Sequence, residues 1–257
     1  MLEIKTFEVG SFGTNMYLVS FDQPVAQSVS PQDGLSAKRS VLCQRSDLFL
    51  IDPACSSLYE QQMLYRSVNE VVCQQRGLSG EAGLSAESGL TILATHGHLD
   101  HLWGAAWACE QWHTPVLMHE ADIPMAKAMQ AQYDLFGIGG TPVPFPLEPL
   151  PVNQSVSPQD GLGHTWKRSV LCQRSGLTIL STPGHTPGSV CFYFPEDGVL
   201  FSGDTLFQMG YGRTDLPGGD IQQLWHSLDL LLALPPETVV YPGHGAPTTI
   251  AAERRRW

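Results

Sequence analysis

LTILATHGHLDHLWGAAWACEQW, residues Leu90–Trp112, opens on an apolar run rich in β-formers and ends on a segment whose apolar residues recur at three- and four-residue spacing. Between strand-like Leu90–Ala94 and helix-like Leu102–Trp112 lies THGHLDH, with His96, His98, Asp100 and His101 inside six consecutive positions. Loops at strand ends are where α/β proteins place their chemistry. Three histidines and an aspartate exceed what one tetrahedral ion with an open position needs, so two ions fit better.

Outward from this stretch, strand-like segments recur at Ile4–Val9, Met16–Phe21, Leu48–Ile51, Pro115–Met118, Leu177–Ser181, Val190–Phe194, Val199–Ser202 and Thr238–Tyr241. Helix-like periodicity marks Ser57–Val72, Ala121–Gln132 and Ile221–Leu234. Strands and helices interleave through both halves, a pattern that favours sheets covered by helices. The proline-rich run Gly139–Val152 cannot be helix and makes a poor central strand, because each proline removes a backbone donor. It reads as a connection between halves. At 257 residues one domain over 1–257 is expected, since a cut there would divide the metal-grade residues.

Within that domain QSVSPQDGL occurs at Gln27–Leu35 and again at Gln154–Leu162, each followed by KRSVLCQRS, at Lys38–Ser46 and Lys167–Ser175. A looser echo covers Val72–Leu90. The copies are far apart and lack a face to stack, so they are not a solenoid. Each strict copy precedes a strand-like segment where a short connection would suffice, and doubling a loop costs only about 0.6 kcal/mol. They read as passenger insertions at about 27–46 and 154–175, with the looser one at about 72–89.

A net charge of −11 disfavours a nucleic-acid backbone as partner. Residues 1–20 lack the basic start and apolar core of a signal peptide, and no apolar run approaches the roughly 18 residues of a membrane span. A cytoplasmic location is expected. The cysteines at 43, 55, 73, 109, 172 and 191 form no CxxC pair and read as free thiols.

Three further motifs carry metal-grade residues after strand-like stretches: TPGHTPGS (Thr182–Ser189) has His185, FSGDTLF (Phe201–Phe207) has Asp204, and VYPGHG (Val240–Gly245) has His244. With His96-x-His98-x-Asp100-His101 they resemble the signature of the metallo-β-lactamase-fold hydrolases. The resemblance implies an α/β fold, a four-layer αββα sandwich. It also implies that His96, His98 and His185 bind one divalent ion, that Asp100, His101 and His244 bind a second, and that Asp204 bridges them. Zinc is the first expectation, with iron and manganese also accepting such donors. Five of the nine histidines fall on these motifs. His113, His119, His164 and His226 lie outside them and are assigned no chemistry.

Two ions would lower the pKa of a shared water from 15.7 toward about 7, making hydroxide available to attack an ester-like carbonyl. Asp100 is then the expected catalytic group, orienting the nucleophile and shuttling its proton. The segments Gly203–Asp220 and Tyr241–Trp257 are similar to the short bacterial glyoxalase II group. That similarity implies hydrolysis of a glutathione thioester such as S-D-lactoylglutathione, with Arg213 contacting glutathione through a carboxylate. Longer members of that group add a C-terminal helical domain, and this chain ends about a dozen residues after His244, so a broader acyl range is expected. Two rivals are a persulfide dioxygenase using one iron and a non-catalytic, metal-stabilised binding protein whose ion shell is closed. A β-lactamase of the secreted classes is disfavoured by Asp204 standing where those carry cysteine.

Overall fold

The computed structural model describes residues 2–21, 48–76, 89–150 and 176–256. Both strict repeat copies, with His164, Cys43 and Cys172, and most of the looser echo lie outside them; Val72–Arg76 of that echo belong to a helix.

One sheet runs β1 (Leu2–Val9), β2 (Thr14–Phe21), β3 (Leu48–Ile51), β4 (Leu90–Leu93), β5 (Val116–Met118), β6 (Leu147–Pro149) in spatial as in chain order. Its first three strands are antiparallel and the rest parallel. Helices α1 (Leu58–Arg76), α2 (Leu99–Leu102), α3 (Ala105–Trp112), α4 (Ile123–Lys127) and α5 (Met129–Leu135) are interspersed along this half. The second sheet draws on β7 (Thr178–Ser181), β8 (Val190–Phe194), β9 (Val199–Gly203), β12 (Val239–Pro242) and β13 (Thr248–Thr249), ordered β13-β12-β9-β8-β7. A small hairpin, β10 (Leu206–Phe207) with β11 (Gly210–Tyr211), and helices α6 (Ile221–Leu232) and α7 (Ile250–Arg254) complete this half.

Strand alternation explains the layers. In β2, Met16 and Leu18 enter the core shared with α1, α2 and α3, while Tyr17 and Val19 enter the core between the sheets. In β3, Leu48 and Leu50 divide from Phe49 and Ile51 in the same way. In β8, Phe192 and Phe194 face the inter-sheet core, whereas Cys191 and Tyr193 face α6. Strands buried on both faces must be apolar at every position, and the side-chain period of two sends alternate residues to different cores. Each such Leu or Phe contributes roughly 1.5–3 kcal/mol by leaving water. The result is the expected four-layer sandwich, helix on sheet on sheet on helix.

Differences from the sequence expectation have local causes. The helix expected over Leu102–Trp112 is broken after α2, because Gly104 N–H donates to Pro53 O (2.8 Å) instead of back along a helix. The helix expected over Ala121–Gln132 becomes a 3-10 turn at Glu120–Asp122 followed by α4 and α5. The break falls at Ala128, and the side chain of Gln132 there bonds Met125 O, Gly97 O and Leu99 N. The proline-rich run contributes β6, an edge strand, which is where proline costs least. Cys55, Cys109 and Cys191 are buried thiols, each pushed up to about 12 foremost by burial. Among the described residues no helix is long and apolar enough to cross a membrane.

Candidate metal centre

Every metal-grade motif leaves the carboxyl end of a strand. His96, His98, Asp100 and His101 follow β4, His185 follows β7, Asp204 follows β9 and His244 follows β12. Four strands from two sheets thus deliver donors to one end of the sandwich. The β1–β2 hairpin stitches the last of them in place: Asn15 N–H donates to Gly243 O (2.7 Å), and Asn15 Nδ2 to Pro242 O and Gly245 O. Gly243 is required by closeness, since a Cβ there would lie 2.2 Å from Asp204 Oδ1.

The donor atoms gather in overlapping triplets, each mutually within 4.8 Å: His96 with His98 and His185, Asp100 with His101 and His244, and His96 with His101 and Asp204. The Asp204 carboxylate lies between the first two. Its Oδ2 is 3.5 Å from His185 Nε2 and 3.6 Å from His244 Nε2, and its Oδ1 is 3.3 Å from His101 Nε2. Asp100 Oδ2 is 3.2 Å from His244 Nε2 and 3.5 Å from His101 Nε2, and accepts a hydrogen bond from Thr14 Oγ1 (2.9 Å).

Four imidazoles have their tautomers set from outside. His185 Nδ1 donates to Arg213 O (2.7 Å), His101 Nδ1 to Asp52 Oδ2 (2.9 Å) and His244 Nδ1 to Gly13 O (3.2 Å). Thr95 gives its hydroxyl proton to Asp52 Oδ2 (2.8 Å), so its oxygen accepts from His96 Nδ1 (3.0 Å). Each ring therefore turns its Nε2 toward the common centre. His98 points its Nδ1 inward, 2.8 Å from His185 Nε2. His96 Nε2 and Asp204 Oδ1 are buried without a hydrogen-bond partner among the described residues. Convergent lone pairs, two carboxylates and an orphaned buried imidazole nitrogen fit divalent cations that accept nitrogen and oxygen donors. These buried clusters are consistent with a binuclear metal site.

Burial, the largest influence, lowers the pKa of His96 far below its ordinary value and that of His98 to about 3, with neighbouring imidazole charge adding to both. Both are held neutral, as ligands must be. His101 goes the other way: burial opposes, but the Asp100, Asp204 and Asp52 carboxylates outweigh it and hold the ring well above its usual range. For His244 burial likewise opposes, while the Asp100 hydrogen bond and the Asp204 charge raise it. Asp100 and Asp204 are depressed despite burial, mainly by the His101 charge.

The centre opens on one side. The side chains of His101 and His185 are 0% and 2% exposed, whereas those of Asp100 and His244 are 18% and 28%. Phe207 lies against the His244 ring at 6.2 Å, on this open side.

The structure thus brings together His96, His98, Asp100, His101, His185, Asp204 and His244. It does not bring in the Arg213 side chain: the guanidinium is exposed and forks onto Asp215 (2.6 and 2.7 Å), and only its backbone carbonyl touches the centre. His113 ends α3, His119 caps the 3-10 turn and His226 bonds Gln222 O within α6. Sequence reading missed Asp52, Thr14, Asn15 and Asp122. Asp52 carried a legible signal, an acid immediately after the apolar strand LFLI, which is the placement shared by the metal motifs. A groove lined by Trp107, Glu110, His113, Val143 and Pro146 contains none of these donors.

A profile of the family described as "Metallo-beta-lactamase superfamily" matches residues 40–244. A Mycobacterium leprae protein, ML0493, is 38% identical over 175 residues, covering 64% of this chain and 72% of its own. The hydroxyacylglutathione hydrolase GloC of Haemophilus influenzae is 36% identical over 168 residues, covering 64% of this chain and 72% of its own. Among solved structures, TTHA1623 in a di-iron-bound form superposes with a TM-score of 0.64 at 31% identity, covering 98% of this chain and 97% of its own.

Proposed function

This chain belongs to the metallo-beta-lactamase superfamily, and from that premise we propose that it is a binuclear metallohydrolase of glutathione thioesters such as S-D-lactoylglutathione. The observation that carries the reading is the pair of donor triplets with one carboxylate between them. His96, His98 and His185 would hold one cation, Asp100, His101 and His244 the other, with Asp204 shared. A bound pair of divalent cations supplies Lewis acidity and a water acidic enough to deprotonate near neutral pH. Zinc is our first assignment. The relative crystallised with two irons makes iron the next.

The chain's own residues do the rest. Asp100 is held through Oδ2 by Thr14 and sits on the open side, where it orients the attacking water and takes its proton. The new bond joins the water oxygen to the acyl carbon, the carbon–sulfur bond breaks, and the proton passes to the departing thiolate. Arg213, beside the centre through its carbonyl, leaves its outer N–H groups beyond Asp215 for a carboxylate of the thiol portion. The similarity to GloC supports the substrate class.

Thiol release from S-D-lactoylglutathione, with Asp204→Ala as control, tests the proposal. Release by the wild-type chain at least a hundredfold above the control is expected. Release equal to the control defeats the thioesterase reading, and oxygen consumption with glutathione persulfide would replace it by the one-iron dioxygenase.

A further inference from the structure

Besides Asp52, a second buried carboxylate close to the centre belongs to neither cation triplet. Asp122, fully buried at the end of the 3-10 turn, accepts three hydrogen bonds on two oxygens. Its Oδ2 takes Gly97 N–H (2.8 Å) and Thr186 Oγ1–H (2.6 Å), and its Oδ1 takes Gly188 N–H (2.6 Å). Gly97 stands between His96 and His98, and Thr186 follows His185. Those loops leave β4 and β7, strands of different sheets, so strand pairing does not set their separation. Among the described residues, Val190 N–H to Thr95 O (2.9 Å) and the contact of His98 Nδ1 with His185 Nε2 (2.8 Å) also join them, but neither is a charged anchor that reaches both loops from a third element. A Cβ at Gly188 would lie 2.6 Å from Asp122 Oδ1, so the approach depends on glycine.

We propose that Asp122 is the positioning residue of the first donor triplet, tying the His96–His98 loop to the His185 loop so that cation affinity there, and not at the second triplet, depends on its carboxylate. This rests on the ligand assignment above. All three donors reach loops of the first triplet, whereas His101 and His244 are oriented by Asp52 and Gly13. Asparagine at 122 would turn an NH2 group toward at least one N–H or O–H that now donates, replacing attraction by repulsion.

The test isolates each triplet. His244→Ala leaves the first triplet whole, and His185→Ala leaves the second whole. Zinc affinity of both proteins is measured by competition with a chromophoric chelator, with and without Asp122→Asn. Expected is a ten- to hundredfold loss in the His244→Ala background, as for other groups that orient metal ligands, and less than threefold in the His185→Ala background. Equal losses in both backgrounds, or none in either, overturn the proposal. Should Asp122→Asn not fold, Thr186→Val and Thr186→Ser are compared in the same backgrounds. Valine should weaken the first triplet several-fold and serine should restore it; identical behaviour of the two overturns the proposal. No arm uses hydrolysis, so an inactive thioesterase with these affinities defeats only the functional reading. A wild-type chain that holds no zinc defeats the ligand assignment and this inference with it.

Discussion

Asp52 shows how much one side chain can determine. Buried, with φ +54°, it accepts from Thr95 N–H (2.7 Å), Thr95 Oγ1 and His101 Nδ1, and so sets two imidazoles at once, His101 directly and His96 through Thr95. Asp52→Asn retains the shape and removes the charge that keeps His101 Nε2 facing inward. Cation affinity and kcat/KM should each fall ten- to hundredfold, checked by chelator competition and thiol release; an unchanged affinity would show that His101 orients itself. Arg213 makes a contrasting case, because among the described residues its exposed guanidinium pairs with Asp215 and with no donor of the centre. If it binds the thiol portion, Arg213→Ala raises KM several-fold with kcat and metal content preserved, the signature of lost uniform binding. A kcat loss at constant KM would instead locate its importance in the carbonyl that holds His185. The metal-grade residues were legible because their types are rare, four of them are tightly spaced and the other three stand on motifs that complete a family pattern. Asp122 was not, since an isolated aspartate gives no local sign of which distant donors it meets, and Asp52 showed only its place after an apolar strand, not its partners.

At the scale of elements, the turn between β1 and β2 is held by the helix opposite. Ser57 and Glu60 form a reciprocal capping box on α1, with Ser57 N–H on Glu60 Oε2 (2.9 Å) and Glu60 N–H on Ser57 Oγ (3.3 Å). Glu60 Oε1 also accepts from Gly10 N–H (2.9 Å), anchoring the turn whose next residues hold His244 and Asp100. Burial would raise the Glu60 pKa, but the Gly10, Ser56 and Ser57 amides outweigh it and lower it. A depressed carboxylate contributes stability that is complete above its ordinary value of 4.5 and is lost as pH falls through the folded value. Glu60→Gln should therefore cost about 1 kcal/mol at neutral pH, a gap that closes as pH is lowered through and below 4.5. Thermal melts across that range check it, and a gap independent of pH would assign the effect to packing. Element identity was readable from periodicity, while the interruption at Gly104 was not, because it answers to Pro53, a partner remote in sequence, and the Gln132 side chain beyond the Ala128 break likewise meets the distant Gly97.

For the whole molecule, the two ends of the sandwich have separate tasks. Strand carboxyl ends deliver the donors. The repeat copies enter before β3 and β7 and the looser echo before β4, all at strand amino ends. In the antiparallel register Ser20 lies opposite Leu48, so the ends flanking the first copy are neighbours that a short turn can join. Removing Gln27–Ser46 and Gln154–Ser175 together should leave metal content unchanged and turnover within about threefold, since loop length adds only a logarithmic closure cost. A collapse of either would give the copies a role in the centre. The sequence alone determined most of the strands, the interleaved pattern of helices and, through motifs that resemble a known family, seven donor residues, because side-chain period and donor chemistry are local properties of the chain. Only the tertiary structure decided which ring nitrogen faces inward, which distant groups orient each ring and that Arg213 meets the centre through its carbonyl, because each of these depends on where two separate sheets place loops that are distant in sequence.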